Sequence, residues 1–302
     1  MHDPLTQLLA HHPYLVNDGA MATELEKRGV DTNSALWSAE ALINAPEQVT
    51  AVHQSYFDAG AMIATTDSYQ ANPQAFAKLG YADAASAQLI QASVSLAQKA
   101  RTDPNQLIAG SIGPYGAYLA DGSEYTGAYT LSESAYQDFH RQRMQLLQAA
   151  GVNFFALETM PNFAEIKALV HLLATEFTTM TAWVSLSVGE NHDRLCDGSD
   201  FATVCDFLNA QPQVVAIGIN CTAMTNVLPT LQHLAPLTAK PLVVYPNNGD
   251  TYDPSDKSWH KNPHALSFKD AVPTWQQAGA RIIGGCCRTT PDDIRQIAAV
   301  LQ

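Results

Sequence analysis

Positive charge is scarce in this sequence. Sixteen Lys and Arg face 29 Asp and Glu across 302 residues, leaving a formal net charge of −13 at pH 7. Nucleic acid and anionic membrane both need a concentrated cationic surface for unassisted binding, so neither is an expected partner. No apolar run approaches the roughly 18 residues of a bilayer span. The opening stretch "MHDPLTQLLAHHPYLV" also lacks the basic start and long apolar segment of a secretory leader. Cysteine is rare and odd in number, five in all, which disfavours a disulfide framework and points to a reduced compartment, the cytoplasm. Charged residues reach only 15% against 46% hydrophobic, a balance that excludes a disordered or collagenous chain.

What is present is a series of short apolar runs bounded by Gly, Asp or Asn, the pattern of strands buried in a parallel sheet. Eight occur: "YLVNDG" near 14, "AMIATT" near 61, "LIAGSIG" near 107, "NFFALET" near 153, "TAWVSLS" near 181, "VVAIGIN" near 214, "PLVVYPN" near 241 and "RIIGG" near 281. Helical segments separate most of them. Three of these helices hand over to a strand through an Ala-Gly turn, at Gly60, Gly151 and Gly279, where glycine can take the left-handed conformation that closes a helix. Helix starts are legible too. Thr130 with Glu133 and Asn162 with Glu165 have capping-box spacing, and Thr290-Pro291 reads as an N-cap and first helical residue. Eight alternating units without a linker predict one (β/α)8 barrel domain over residues 1–302, with a doubly wound open sheet as the alternative.

In such a barrel the chemistry gathers where the carboxyl ends of the strands meet. Asp18 follows the first strand, Thr66 and Tyr69 the second, Glu158 lies at the end of the fourth, and Asn220 with Cys221 follows the sixth. The adjacent Cys286 and Cys287 follow the eighth. Three thiols at one barrel mouth suit Zn²⁺, with a fourth position left for substrate. The same cysteines also read as small buried residues, and less readily as a redox pair, because neighbouring residues form a disulfide only with unusual backbone geometry.

Other features carry less. Cys196 and Cys205 read as structural. His260 and His264 stand four apart, but Asn262-Pro263 between them argues against a regular helix and a metal pair. The glycine-rich "GSIGPYGAYLADGSEYTGAY" has neither a P-loop lysine nor a dinucleotide fingerprint, and no Lys or Arg occurs from Thr102 through His140. It reads as a flexible substrate loop whose Tyr115, Tyr118, Tyr125 and Tyr129 either pack or face a cation.

With those residues in hand, the chain resembles the homocysteine S-methyltransferase family, in particular its S-methylmethionine- or S-adenosylmethionine-dependent branch. The resemblance runs nearly end to end through "DGAMATELE", "TTDSYQAN", "GSIGPYGAYLADGSEYTGAY", "ETMP", "GINCT", "YPNNGDTYD" and "GGCCRTTP". It implies a (β/α)8 barrel in which Cys221, Cys286 and Cys287 hold zinc and activate the thiol of homocysteine for attack on a cationic methyl donor. It further implies that Asp18 and Glu158 hold the amino group of homocysteine, with Gly19, Thr66, Tyr69 and Asn220 as further substrate-binding candidates. Related betaine-dependent enzymes have a tyrosine near the Tyr69 position that approaches zinc when substrate is absent. They also carry a longer carboxyl extension for assembly, so a monomer is expected here. Betaine-dependent methyl transfer, and a zinc-binding sensor or store without turnover, are the alternatives.

Overall fold

A computed structural model describes residues 3–189, 191–253, 258–260 and 266–301. The eight apolar runs each form a strand: β1 (Leu15–Val16), β2 (Ile63–Thr65), β3 (Leu107–Ile112), β4 (Phe154–Met160), β5 (Ala182–Leu186), β6 (Val214–Asn220), β7 (Leu242–Tyr245) and, after a small hairpin, β10 (Ala280–Ile283). The hairpin strands β8 (Thr251–Asp253) and β9 (Ser258–His260) pair antiparallel outside the main sheet. All eight main strands run parallel in the order β1-β10-β7-β6-β5-β4-β3-β2. A parallel bridge from Asn17 to Ile63 joins the two ends of that order. The ring is a (β/α)8 barrel, not an open doubly wound sheet.

Alternation along the strands divides the core in two. Inward residues such as Phe154, Ala156, Trp183, Ala216, Val243 and Ile282 form an inner cluster, joined by Leu5 and Leu8 from the N-terminal helix Pro4–His11. Leu157, Val184, Ile217, Val244 and Ile283 belong to a second cluster with the surrounding helices. Continuing the inward alternation towards the carboxyl ends turns apolar residues into polar ones: Ser111 on β3, Glu158 on β4 and Asn220 on β6. The period of two that builds the barrel core therefore aims the functional side chains into its mouth.

The three Ala-Gly joints form as expected, with φ of +104° at Gly60, +90° at Gly151 and +101° at Gly279. Thr290 and Asp293 reciprocate at the start of Pro291–Leu301. The Thr130 cap does not form; Ser132 caps the helix Glu133–Ala149 by accepting from Ala135 N. Asn162 does cap its helix, but Glu165 makes no return bond. It is fully buried and instead accepts from Tyr115 N (2.6 Å) and Tyr129 Oη (2.6 Å), and lies 2.7 Å from His140 Nε2. The capping glutamate is taken instead by the third loop, whose half-buried amide and hydroxyl it accepts from, and by His140.

That loop is folded rather than bare. It contains the short helix Tyr115–Leu119 and the 3₁₀ turn Ser123–Tyr125. Tyr115, Tyr118 and Tyr129 are packing residues: Tyr115 and Tyr118 meet Phe139 at ring distances of 5.0 and 5.3 Å, and Tyr129 meets Tyr136 at 6.4 Å. The cation over Tyr118 is the chain's own Lys78, 3.8 Å from the ring centre.

Gly218 lies where β6 passes β7, and a Cβ there would stand 1.7 Å from Val243 O. Gly218→Ala is expected to cost about 3 kcal/mol or more, at the top of the overpacking range, because backbone rather than a side chain must yield. Urea denaturation checks this; an unchanged midpoint would contradict the close passage of the strands.

Candidate metal and substrate site

Cys221 Sγ, Cys286 Sγ and Cys287 Sγ all lie within 4.8 Å of one another, the one such cluster of potential metal ligands found among the described residues. Cys221 and Cys287 are 3.6 Å apart. Sulfurs about 2.3 Å from a tetrahedral ion stand about 3.8 Å apart, so the spacing fits a metal without requiring the chain to move far. Hydrogen bonds from its two neighbours hold the Cys221 thiol well below its usual range, while sharing that proton network with Cys221 pushes Cys286 and Cys287 up. Three thiols this close favour one thiolate; ionising all three calls for a cation.

The backbone explains how residues so far apart in sequence meet. Cys221 N donates to Tyr245 O, Asn247 N to Thr222 O, Cys286 N to Pro246 O, and Cys287 N to Asn247 Oδ1 at 3.1 Å. The loops after β6, β7 and β10 thus bond to one another, with Asn247 at their junction. Gly285 N donates to Asp18 O, drawing the cysteine pair against the end of β1. Side chains at Gly284 and Gly285 would collide with Asn17 and Thr289, which is why two glycines precede two cysteines. Cys221 and Arg288 adopt φ of +50° and +66°, and Thr159 +57°, so left-handed non-glycine backbone concentrates at the mouth.

Beside the thiols is a cavity lined by Asp18, Asp67 and Glu158, with no Lys or Arg among the lining residues. Asp18 accepts from Thr65 N (2.8 Å) and Thr65 Oγ1 (3.1 Å), and burial raises its carboxyl well above the usual range despite those bonds. Glu158 accepts a short bond from Ser111 Oγ, and burial lifts it from 4.5 to about 7. Two buried carboxylates, with Arg143 acting on Glu158 only at a distance and no Lys or Arg in the wall, make this cavity a place for an ammonium group.

All nine residues singled out from the sequence line this one cavity: Asp18, Gly19, Thr66, Tyr69, Glu158, Asn220, Cys221, Cys286 and Cys287. Not all have free polar groups. The Asn220 amide is engaged with Thr159, accepting from its N and donating to its Oγ1, each at 2.8 Å. Thr66 Oγ1 meets Ser68 Oγ and accepts from Ser111 N. Tyr69 sets its ring edge-on to Trp37 at 6.3 Å. The tyrosine hydroxyl that touches a thiol belongs instead to Tyr125 of the third loop, 3.3 Å from Cys221 Sγ. Sequence reading also passed over Trp37, Ser38, Asp67 and Asn247. Asp67 carried a usable signal, an acidic residue just beyond a strand end, as with Asp18. Cys205 is buried in the helix Phe201–Asn209 and Cys196 lies near Ser187, neither in the thiol cluster. His264 falls outside the described residues.

Comparison with known proteins decides the family. The homocysteine S-methyltransferase model matches residues 15–301. The chain belongs to the homocysteine S-methyltransferase family. Homocysteine S-methyltransferase from Escherichia coli (strain K12) is 50% identical over 307 residues, spanning 99% of this chain and 98% of that protein. Homocysteine S-methyltransferase YbgG from Bacillus subtilis (strain 168) is 44% identical over 308 residues, spanning 98% and 97%. The solved structure of homocysteine methyltransferase MmuM from E. coli in a metallated form matches with a TM-score of 0.89 at 47% identity, covering 98% of this chain and 99% of that one.

Because the folded state holds a proton on Glu158 up to about pH 7 while the unfolded chain releases it near 4.5, the native state binds more protons across that window. Its stability therefore falls as pH rises from 4.5 to 7, by up to about 3 kcal/mol from this group. Urea midpoints of the metal-free protein between pH 5 and 7.5 are expected to show that fall, and Glu158→Gln to flatten it. A variant retaining the full slope would assign the effect to other groups, Asp18 first.

Proposed function

We propose that this chain transfers a methyl group from S-methylmethionine, or from S-adenosylmethionine, to L-homocysteine, forming methionine, at a zinc ion held by Cys221, Cys286 and Cys287. The observation that carries the reading is the placement of three mutually close thiols in the wall of a cavity whose charged side chains are all acidic. Softness favours zinc, since thiolate sets select it over hard cations. The metallated form of the E. coli relative supports a metal in this family. The reading extends to one catalytic barrel domain over residues 1–302 acting in the cytoplasm; among the described residues no helix is long and apolar enough to cross a membrane.

Zinc, when bound, keeps the acceptor sulfur deprotonated and nucleophilic near neutral pH. The chain's own residues do the rest. Asp18 and Glu158 take the ammonium group of homocysteine, and that positive charge returns both buried carboxyls to their ionised form. The absence of Lys and Arg from the cavity wall lets a sulfonium approach without repulsion. In the transfer, the bond from methyl carbon to donor sulfur breaks as the bond to homocysteine sulfur forms. The electron pair of the broken bond stays on the donor sulfur, which leaves as a neutral thioether. No residue has to protonate it, so the carboxyls at the mouth are free to serve in binding. The third loop reaches the rim through Tyr125, whose hydroxyl lies 3.3 Å from Cys221 Sγ. Alignment of two reactants in this way contributes about 7–11 kcal/mol in favourable cases.

Methionine formation by reduced, zinc-loaded protein, with S-methylmethionine, S-adenosylmethionine and betaine supplied separately, tests the reaction. S-Methylmethionine is expected to yield two methionines per homocysteine consumed. Betaine as the preferred donor would reassign the substrate, and no product from any donor would reject the enzyme reading. Cys286→Ser and Cys287→Ser are each expected to lower zinc content and turnover together, by more than the roughly 10–100-fold that loss of an outer-shell partner costs. Either variant with full metal and full activity would contradict the ligand set. Glu158→Gln should raise the KM for homocysteine roughly 10-fold or more with zinc retained, and an unchanged KM would remove Glu158 from that role.

A further inference from the structure

Asp67 is the acidic residue of the cavity for which homocysteine leaves no task. It is 4% exposed and lines the same cavity as Asp18, Glu158 and the thiols. Its Oδ1 accepts from Ser38 Oγ at 2.6 Å, which fixes the carboxylate plane. Its Oδ2 is buried and has no hydrogen-bond partner among the described residues. A buried carboxylate oxygen without a donor is costly to keep unless something binds there. Burial raises Asp67 to about 6, with only the Ser38 hydroxyl pulling the other way. An N–H cation at Oδ2 would supply both the missing bond and the missing charge.

Asp67 follows β2, and three strands separate β2 from β6 in either direction around the ring, so Asp67 stands across the mouth from Cys221, while only β1 separates β2 from the strand that leads to Cys286 and Cys287. In the proposed reaction the acceptor is held at the thiols by its sulfur, and its single ammonium is taken by Asp18 and Glu158. The third carboxylate, Asp67, is left for the second substrate.

We propose that Asp67 Oδ2 receives the α-ammonium group of the methyl donor, making the site selective for sulfonium donors that are themselves amino acids. The inference rests on the methyl-transfer reading above and adds a donor class to it. S-Methylmethionine and S-adenosylmethionine both carry an α-ammonium with N–H groups to donate. The quaternary nitrogen of betaine has no N–H, so it would leave Oδ2 buried and unsatisfied, and sites built around a polar bond discriminate strongly against ligands that cannot make it.

The test is calorimetric titration of the zinc-loaded protein, without homocysteine, by S-methylmethionine and by 4-(dimethylsulfonio)butanoate, the same molecule with hydrogen in place of the ammonium. Wild-type protein is expected to bind the ammonium-bearing ligand roughly 10- to 100-fold more tightly. Asp67→Asn keeps an oxygen for Ser38 but sets an amide NH₂ against the ammonium; its preference is expected to fall to near parity, with zinc content and the KM for homocysteine unchanged. Equal affinities in the wild type overturn the proposal. So does a variant that weakens both ligands alike, or one that raises the homocysteine KM instead. The wild-type comparison needs no substitution, so a poorly folding variant does not remove the test. Binding is read without turnover, so failure of the two ideas is separable: a retained ammonium preference with no methionine formed sinks the reaction alone, while turnover without the preference sinks the role of Asp67 alone.

Discussion

Three sulfurs brought within 4.8 Å of one another form the constraint on which the rest of this molecule turns. Like ionisable groups at that distance resist joint ionisation, and only a cation among them relieves the conflict. The chain spends much of its local order to hold them there. Loops after β6, β7 and β10 bond to each other rather than to solvent, and Cys221 and Arg288 sit in left-handed backbone that costs of order 1–3 kcal/mol per residue. A glycine pair lets the end of β10 press against β1. These features agree with a prearranged chelate and are poorly explained by three cysteines that merely fill space.

The acidic cavity follows the same logic from the other side. Asp18, Glu158 and Asp67 are all buried, and burial raises each above the ordinary carboxylate range. Such groups destabilise the empty protein and favour cationic ligands, an exchange of stability for binding that functional sites commonly show. In the proposed reaction two amino-acid substrates would bring two ammonium groups and one sulfonium. The cavity wall carries these carboxylates and no Lys or Arg, so nothing in it would oppose a positively charged donor in that reaction.

Much of this was legible before any coordinates. Parallel strands buried on both faces read as short apolar runs, and a barrel brings their carboxyl ends together whatever their separation in sequence. Strand position therefore placed Asp18, Glu158, Asn220 and the three cysteines around one mouth. What escaped depends on tertiary competition. Glu165 has a capping-box position, yet the half-buried amide of Tyr115 and hydroxyl of Tyr129 claim it. By residue type alone Tyr125 and Tyr69 both suit the neighbourhood of the thiols, and only the path of the third loop decides that Tyr125 reaches Cys221. Asn247 sits in a loop of ordinary composition, and its service to Cys287 exists only once β7 and β10 are paired. The hairpin β8–β9 follows β7 without the alternation of a larger sheet to announce it.

The central claim is that Cys221, Cys286 and Cys287 form a zinc centre whose remaining position accepts the sulfur of homocysteine. Zinc K-edge X-ray absorption on the loaded protein, with and without homocysteine, tests it most directly. Three sulfurs and one lighter atom around zinc, becoming four sulfurs when homocysteine is added, is the result the account predicts. Fewer than three sulfurs in the resting protein, or a coordination shell indifferent to homocysteine, would contradict it.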